Sequence, residues 1–234
     1  MYKMESPVIN VIIPAFNEEM SIGLVIDDIP NIVSEIIVIN NGSTDQTETV
    51  AKKHGATVLQ ESRRGYGYAC LAGLAYIDQK KSKPEIIVFL DGDYSDYPHE
   101  LTKLVAPIIN DDIDLVIGSR TKNLRASGSM TLPQVFGNWL ATRLMKFFFN
   151  AKFTDLGPFR AIKYDKLISL GMQDKTYGWT VEMQLKVLRK SYNYTEVPVK
   201  YKKRIGVSKV SGTIKGAIFA GVKILSWIFK YSFT

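Results

Sequence analysis

The chain has 234 residues, 46% of them hydrophobic, which suits one large α/β domain or one domain with a tail. A single cysteine excludes an internal disulfide framework, and two histidines are too few for a histidine-based zinc site. No uncharged apolar run reaches the roughly 18 residues that a membrane span needs. The N-terminus lacks the apolar core of a signal peptide, so we expect a cytoplasmic protein.

The net charge of +7 conceals two halves of opposite sign. Residues 1–119 carry nine Lys and Arg against 18 Asp and Glu, whereas residues 120–234 carry 21 Lys and Arg against five Asp and Glu. The acidic half is suited to hold a metal ion, and the basic half is suited to hold anions. Nucleic acid, phosphates and anionic lipid are therefore all candidate partners of the second half.

The first half alternates short apolar strands with helices. We predict strands at residues 8–14, 35–40, 56–59, 86–90 and 114–118, and helices at 19–29, 46–54, 69–76 and 99–109. This alternation predicts an α/β fold with a mostly parallel central sheet flanked by helices. Such sheets bind ligands beyond the carboxyl ends of their strands. Because Pro14, Asn40 and Asp91 all lie at such ends, we expect them to converge on one crevice.

The sequence Asp91-Gly92-Asp93 follows the most apolar of these strands. Residues two apart on a strand share a face, so the two carboxylates could address one ligand, while Gly92 would let the backbone approach it closely. Two neighbouring carboxylates repel each other unless a cation lies between them, and hard divalent cations take oxygen ligands. The spacing is compatible with a metal site and also with an ordinary Asp-Gly turn.

The second half is less regular. We predict a helix at 134–150, a turn and strand at 155–162, a helix at 177–190, an edge strand at 195–199 and a basic loop at 201–212. No recognised nucleic-acid motif is present, so we expect no nucleic-acid partner.

The last segment, residues 213–233, is apolar apart from three lysines. At about 100° per residue, Lys215, Lys223 and Lys230 fall at about 0°, 80° and 60°, on one narrow stripe. A helix with a cationic stripe, a broad apolar face and aromatic residues such as Trp227 is suited to a membrane interface. The alternative is a helix that docks on the core and exposes only its lysines to solvent.

Five motifs in order resemble the inverting family 2 glycosyltransferases of the GT-A fold. The motifs are Val11–Glu19, Asn41–Thr47, Asp91-Gly92-Asp93, Gly118-Ser119-Arg120 and Asp155–Arg160. The last two are similar to the branch that makes dolichyl- or polyprenyl-phosphate hexoses. We therefore expect a glycosyltransferase domain at 1–212, with a nucleotide-sugar and metal half (1–119) and an acceptor half (120–212). A C-terminal interfacial amphipathic helix would follow at 213–234.

The resemblance implies that a hexose moves from a nucleotide-sugar to a lipid phosphate. It assigns nucleotide-sugar binding to Pro14, Phe16, Glu18, Asn40, Asn41, Arg64, Asp91, Gly92, Asp93 and Arg204. Asp91 would face the ribose and the metal, and Asp93 would be the main ligand of Mg²⁺ or Mn²⁺. Arg120, Arg160 and Arg204 would neutralise phosphate charge. A peripheral position on the cytoplasmic face of the membrane follows, with a homo-oligomer or a membrane partner possible.

Some choices stay open. The family usually has an aspartate where this chain has Asn40-Asn41, and an amide can donate or accept, so uracil is preferred over guanine from the resemblance alone. Asp155 would orient the acceptor or a basic residue. The main alternative is a glycan or small-molecule hydroxyl acceptor activated by Glu182 as a base. A nucleotidyltransferase and a non-enzymatic basic binding module are further rivals.

Overall fold

The computed structural model describes residues 7–206 and 214–232. Seven strands form one sheet: β1 (Ile9–Ala15), β2 (Glu35–Asn40), β3 (Thr57–Gln60), β4 (Ile86–Phe89), β5 (Leu115–Ser119), β6 (Arg160–Lys163) and β7 (Tyr194–Pro198). Their order is β3-β2-β1-β4-β6-β5-β7. Only β6 runs antiparallel, between β4 and β5, and the other pairs are parallel. The expected mostly parallel α/β sheet is confirmed, and β7 is an edge strand as predicted.

The central strands are buried on both sides because helices cover both faces of the sheet. Alternating residues of each strand enter two separate apolar cores, as the period of two requires. Ile12 and Ile87 contribute to one core, and Val11 and Val88 contribute to the other.

Eight α-helices flank the sheet in the described residues. They are α1 (Ile22–Asp27), α2 (Thr47–Lys53), α3 (Tyr66–Asp78), α4 (Leu101–Asn110), α5 (Leu132–Phe149), α6 (Tyr164–Leu170), α7 (Trp179–Arg189) and α8 (Ile214–Ser232). The sequence did not predict α6, a two-turn helix closed by Gly171 in the left-handed region. Helix α1 begins later than predicted, because residues 18–21 form a turn in which the Ser21 N–H donates to the Glu18 carbonyl.

The C-terminal helix α8 packs against α5 and α7. Trp227 and Ile228 are buried in this contact. The Trp227 indole N–H donates to Asp174 Oδ2 at 2.7 Å, and Lys223 lies 3.3 Å from the same oxygen. The expectation that Trp227 would face a membrane is therefore wrong, because Asp174 and the core hold it. The Lys215 side chain and Phe233 lie outside the described residues.

None of the helices described in residues 7–206 and 214–232 is both long and apolar enough to cross a membrane.

Candidate functional site

A cleft of about 560 Å³ opens at the carboxyl ends of the parallel strands. Strands β2, β1 and β4 are neighbours that run in the same direction, so their ends meet at one edge of the sheet. The cleft collects ten of the predicted site residues: Pro14, Phe16, Glu18, Asn41, Arg64, Asp91, Gly92, Asp93, Arg120 and Arg204. Asn40, Asp155 and Arg160 do not line it.

The two carboxylates after β4 differ in how well they are partnered. The Oδ1 atom of Asp91 is buried and has no hydrogen-bond partner in the described part of the chain. Burial, with the neighbouring charge of Asp93 second, raises the pKa of Asp91 to about 7. A buried carboxylate oxygen without a partner is costly, so this position is suited to a cation.

Asp93 already faces a positive charge. Its Oδ1 accepts from the Ser95 backbone N–H at 2.8 Å, and its Oδ2 accepts from the Arg204 guanidinium. Arg204 reaches this point because its segment runs beside the strand end: the Lys202 N–H donates to the Ser95 carbonyl and the Ile205 N–H donates to the Asp93 carbonyl. Burial alone would lower the pKa of Arg204, but the charges of Asp93 and Asp91 raise it.

This pair of carboxylates fits a divalent cation that also binds a diphosphate. Within residues 7–206 and 214–232, no group of three or more His, Cys, Asp or Glu side chains could enclose a metal ion. Mg²⁺ in nucleotide sites needs only one or two protein carboxylates, because phosphate oxygens and waters supply the rest. Asp91 and Asp93 meet that requirement.

Two glycines beside the cleft are required by the packing of the chain. A Cβ on Gly92 would meet Glu18 Cγ and Ile22 Cδ1 at 3.5 Å, an ordinary contact, so the protein packing itself does not require glycine there. A Cβ on Gly65 or Gly67 would lie 2.2 Å or 2.0 Å from backbone carbonyl oxygens of residues 174–175. These two glycines let the first half of the chain pack directly on the second half.

Phe16 and Arg64 form one wall of the nucleotide side of the cleft. The Arg64 guanidinium carbon lies 3.8 Å from the centroid of the Phe16 ring, a cation–π contact. An aromatic ring in a polar cleft is a natural stacking surface for a nucleobase, and the guanidinium beside it is suited to a phosphate.

The two asparagines organise the loops around the cleft. Asn40 Nδ2 donates to Gln60 Oε1 at 3.0 Å, and its Oδ1 accepts from the Ser43 N–H at 2.9 Å. Asn41 Nδ2 donates to the Glu61 and Arg63 carbonyls at 2.9 Å and 2.8 Å. Both amide hydrogens of Asn41 are thus used inside the protein. The structure therefore does not offer the amide donors of Asn41 for reading a base.

Arg120 and Asp155 form a buried ion pair behind the cleft. Asp155 Oδ2 accepts from Arg120 Nε at 2.9 Å, and Asp155 Oδ1 accepts from Arg120 Nη2 at 2.5 Å. Burial alone would raise the pKa of Asp155, but the Arg120 charge lowers it below its ordinary value. Asp155 therefore positions Arg120 at the wall of the cleft, which agrees with the expectation that it could orient a basic residue.

Arg160 is not available to a phosphate. Its side chain is fully buried and donates to the backbone carbonyls of Gly157 and Thr180, at 3.1 Å and 3.0 Å. Burial lowers its pKa to about 10. The structure contradicts the predicted phosphate role, because Arg160 instead supports the turn that follows Asp155.

The Glu182 carboxylate is also occupied by contacts within the protein. It is fully buried, its oxygens accept from the backbone N–H groups of Gln173 and Asp174 at 2.9 Å and 2.7 Å, and Lys186 lies 2.7 Å away. It does not line the cleft. The geometry gives no support to Glu182 as a base.

Two further residues near the site were missed by the sequence reasoning. Both carboxylate oxygens of Asp96 are buried without a hydrogen-bond partner in the part of the chain that is described. Burial, then the charges of Asp91 and Asp93, raises the pKa of Asp96 well above its ordinary value. Asp96 pairs through a backbone bridge with Tyr201, which lines the cleft beside Arg120. The sequence signal that could have identified Asp96 is that it is the third aspartate within the six residues Asp91–Asp96.

A smaller cavity of about 220 Å³ lies on the other side of Arg120. Its walls include Lys122, Arg125 and Thr154. The Arg125 guanidinium donates to the Met130 thioether at 3.2 Å, and sulfur is a weak acceptor. This side of Arg120 is therefore basic.

A mostly parallel sheet with a carboxylate-tipped cleft at its strand ends defines a GT-A glycosyltransferase fold. Glucosyl-3-phosphoglycerate synthase from Mycobacterium tuberculosis, solved with Mn²⁺, UDP and phosphoglyceric acid, shares this fold with a TM-score of 0.78. It is 23% identical, and the match covers 97% of this chain and 78% of that one. The model of glycosyl transferase family 2 matches residues 10–171. The chain belongs to this family, and it is a glycosyltransferase.

Two relatives carry more specific names. The dolichyl-phosphate hexose transferase of Haloferax volcanii is 31% identical over 213 residues, which cover 88% of each chain. The UDP-N-acetylglucosamine–dolichyl-phosphate N-acetylglucosaminyltransferase of Methanococcus voltae is 28% identical over 220 residues, covering 84% of this chain and 86% of the relative.

Proposed function

We propose that this glycosyltransferase moves a hexose from a nucleotide-sugar, with UDP preferred, to a polyprenyl or dolichyl phosphate. The observation that carries the proposal is the make-up of the cleft wall. Asp91, Asp93, Arg120 and Arg204 all line the cleft. One oxygen of Asp91 has no partner in the described residues, and Asp93 pairs with Arg204. The named substrates of the two relatives support the same donor and acceptor classes.

In the reaction, an oxygen of the acceptor phosphate attacks the anomeric carbon of the sugar. The bond from that carbon to the diphosphate breaks, configuration inverts, and the nucleoside diphosphate leaves. Asp91 and Asp93 would hold Mg²⁺ or Mn²⁺, whose charge stabilises the leaving diphosphate. Arg204 and Arg120 add fixed positive charge near the phosphates.

A phosphate acceptor also agrees with the pairing of the two second-half carboxylates, Asp155 and Glu182. A phosphate is already an anion near neutral pH and needs no strong base to attack. Asp155 is paired with Arg120, and Glu182 is paired with Lys186. A hydroxyl acceptor would need a free base, and Glu182, the base expected for such an acceptor, is not free.

The apolar ends of α5 and α8 support a lipid acceptor. Leu156, Pro158 and Ala220 give the cleft an apolar lining, and Leu132 and Phe136 are exposed on α5 to either side of the cleft-lining Gln134. We place the reaction at the cytoplasmic face of a membrane, with the protein attached peripherally and α8 contributing to that attachment.

The test is a donor and acceptor screen on the purified chain. UDP- and GDP-sugars are each incubated with Mg²⁺ or Mn²⁺ and a short, water-soluble prenyl phosphate, and the prenyl-phosphate hexose is detected by mass spectrometry. We expect transfer from a UDP-hexose, abolished by EDTA. A parallel arm with 3-phosphoglycerate tests a soluble phosphorylated acceptor. Transfer only to that acceptor, or no transfer to prenyl phosphate from any donor, would reject the lipid-phosphate proposal.

A further inference from the structure

Helix α5 exposes large apolar side chains along one side. They are Leu132, Phe136, Trp139 and Phe147, which are 85%, 62%, 52% and 80% exposed. At about 100° per residue, these four together with Arg143 and Lys146 fall within an arc of about 100°. Ala141 and Met145 lie on the opposite, buried side. The helix thus has two apolar sides, and the core accounts for only one.

The exposed strip continues onto α8. The rings of Phe147 and Phe148 are 5.0 Å apart, and the Phe148 ring is 5.9 Å from that of Phe229, which is 43% exposed. At the other end of the strip, Gln134 and Ala220 line the cleft. The apolar surface therefore runs from the mouth of the cleft along both helices. A contiguous exposed apolar surface of this kind marks an interaction site.

The charge on these helices favours one occupant. Neither Leu132–Phe149 nor Ile214–Ser232 contains an aspartate or a glutamate, whereas both contain basic residues. Arg143 lies over the exposed Trp139 ring at 5.9 Å, and Lys146 is exposed one turn away. A second copy of the same face would bring like charges together, whereas anionic headgroups would complement them.

We propose that the exposed side of α5, together with Phe229 of α8, docks on a bilayer that contains anionic lipid. We call these side chains the membrane-docking face: Leu132, Phe136, Trp139, Arg143, Lys146, Phe147 and Phe229. The inference rests on the proposed function for the identity of the acceptor, and it deepens that function by stating how the acceptor arrives. With the apolar side chains in the acyl boundary, the cleft mouth meets the headgroup layer, where a lipid phosphate lies.

Trp139 is a built-in reporter of this docking. The chain has three tryptophans, and Trp179 and Trp227 are only 1% and 7% exposed. Vesicles of phosphatidylcholine with phosphatidylglycerol should shift the tryptophan emission to the blue and protect it from acrylamide, and brominated lipid should quench it. In Trp139→Phe, vesicle binding should persist while the spectral change disappears.

A paired variant tests the face directly. Phe136→Ser with Phe147→Ser should weaken co-sedimentation with these vesicles by about tenfold or more, because it removes two apolar side chains from the buried surface. The matched control is Ile109→Ser with Ile168→Ser, which alters two half-exposed isoleucines on α4 and α6. The control should bind like the wild type. Circular dichroism should be unchanged in both, and thermal unfolding should show that both stay folded, since all four side chains are at least 45% exposed.

Several results would overturn the assignment. They are no vesicle binding by the wild type, an equal loss of co-sedimentation in the paired variant and its control, or a Trp139 emission spectrum that does not change when vesicles bind. A dimer in sedimentation velocity that the paired variant dissolves, without vesicle binding, would assign the face to a second copy. Transfer to the water-soluble prenyl phosphate separates the two proposals: the paired variant should keep that rate and lose only transfer to long-chain acceptor in vesicles.

Discussion

The end of β4 and the second half of the chain each hold two carboxylates that differ in how they are partnered. Near the end of β4, Asp91 and Asp96 hold buried oxygens without partners in the described residues, and burial raises the pKa of both. In the second half, Asp155 and Glu182 are also buried, yet arginine, lysine or backbone N–H groups satisfy them. The first arrangement is costly for folding and therefore points to a ligand; the second stabilises the fold.

The difference explains why residue type alone misled the assignment of roles. The sequence offered aspartates, a glutamate and arginines in both halves, all compatible with phosphate chemistry. Only the partners distinguish them. Arg204 pairs with a carboxylate in the cleft, whereas Arg160 is enclosed by backbone carbonyls. A buried charged side chain is a candidate for function where the fold does not supply all of its hydrogen-bond partners or a counter-charge.

The largest expected effect comes from removing one charge at the cleft. Asp93→Asn should lower transfer by about a thousandfold or more, because it removes a carboxylate from the cation site. The fold should persist, because an amide oxygen can still accept from the Ser95 N–H. Rates are measured with saturating Mn²⁺, and folding by circular dichroism. Wild-type turnover in this variant would contradict the assignment, because the Asp93 carboxylate would then not be needed for the reaction.

For Asp155, in the second half, we expect the main effect of substitution to be on the stability of the fold. Asp155→Asn leaves the Arg120 guanidinium buried without its counter-charge, which should cost about 3–5 kcal/mol of unfolding free energy. Urea denaturation measures this loss. Asp165→Asn, an exposed position on α6, is the control and should change little. If Asp155→Asn were as stable as the wild type, the pair would not be structural and the contrast between the halves would fail.

The same pair has a pH signature. The pKa of Asp155 is lowered in the folded protein, so its contribution is complete above the unfolded pKa of about 3.9 and is lost as pH falls through the lower, folded value. The stability gap between wild type and Asp155→Asn should therefore be constant from about pH 7 to pH 4 and narrow below that. Urea titrations across this range measure it. A gap that instead widens in acid would show that another group is responsible.

Arg204 tests the cation site through the positive charge that pairs with Asp93. Its guanidinium occupies Asp93 Oδ2, where a metal ion would bind. Arg204→Gln should bind Mn²⁺ alone more tightly, since a competing charge is gone, and should bind UDP with Mn²⁺ about tenfold more weakly, since a phosphate partner is gone. Calorimetry measures both affinities. The exposed neighbour Lys203 provides the control, and Lys203→Gln should move neither. Affinities that fall together in Arg204→Gln would deny that the guanidinium competes with the metal.

Much of this fold and part of its site could be predicted from the sequence. The ends of β1, β2 and β4 converge because parallel topology requires it, so Pro14 and Asp91 were placed correctly. The position of β6 between β4 and β5 could not be read from chain order. Its register sets Arg160 opposite Phe89 and Ile117, inside the sheet, which is why a phosphate role assigned from a motif was wrong.

Helix α8 shows the same limit. Its periodicity indicated an apolar side, but nothing in the helix says what covers that side. The answer lies about 50 residues earlier in the chain: a Cβ on Gly178 would meet the Trp227 indole nitrogen at 2.4 Å, so glycine makes room for the ring, and Asp174 accepts its N–H. Deleting residues 213–234 would remove this core contact, so truncation tests stability as well as lipid binding.

The smallest expected effect concerns the nucleotide wall. Arg64 stacks on Phe16 in the cleft, whereas its neighbour Arg63 pairs with Glu61 and stacks on Tyr68, away from the cleft. Arg64→Ala should weaken UDP binding about twofold to fivefold, because it removes a cleft-lining positive charge near the UDP phosphates, and an exposed ion pair is worth about 0.2–1 kcal/mol. Arg63→Ala should leave UDP binding unchanged, although it removes the same charge one residue away. Equal effects of the two variants, measured by calorimetry at low salt, would mean that UDP senses only the net charge of this loop. Specific recognition of UDP would then be confined to the part of the cleft around Asp91, Asp93 and Arg204.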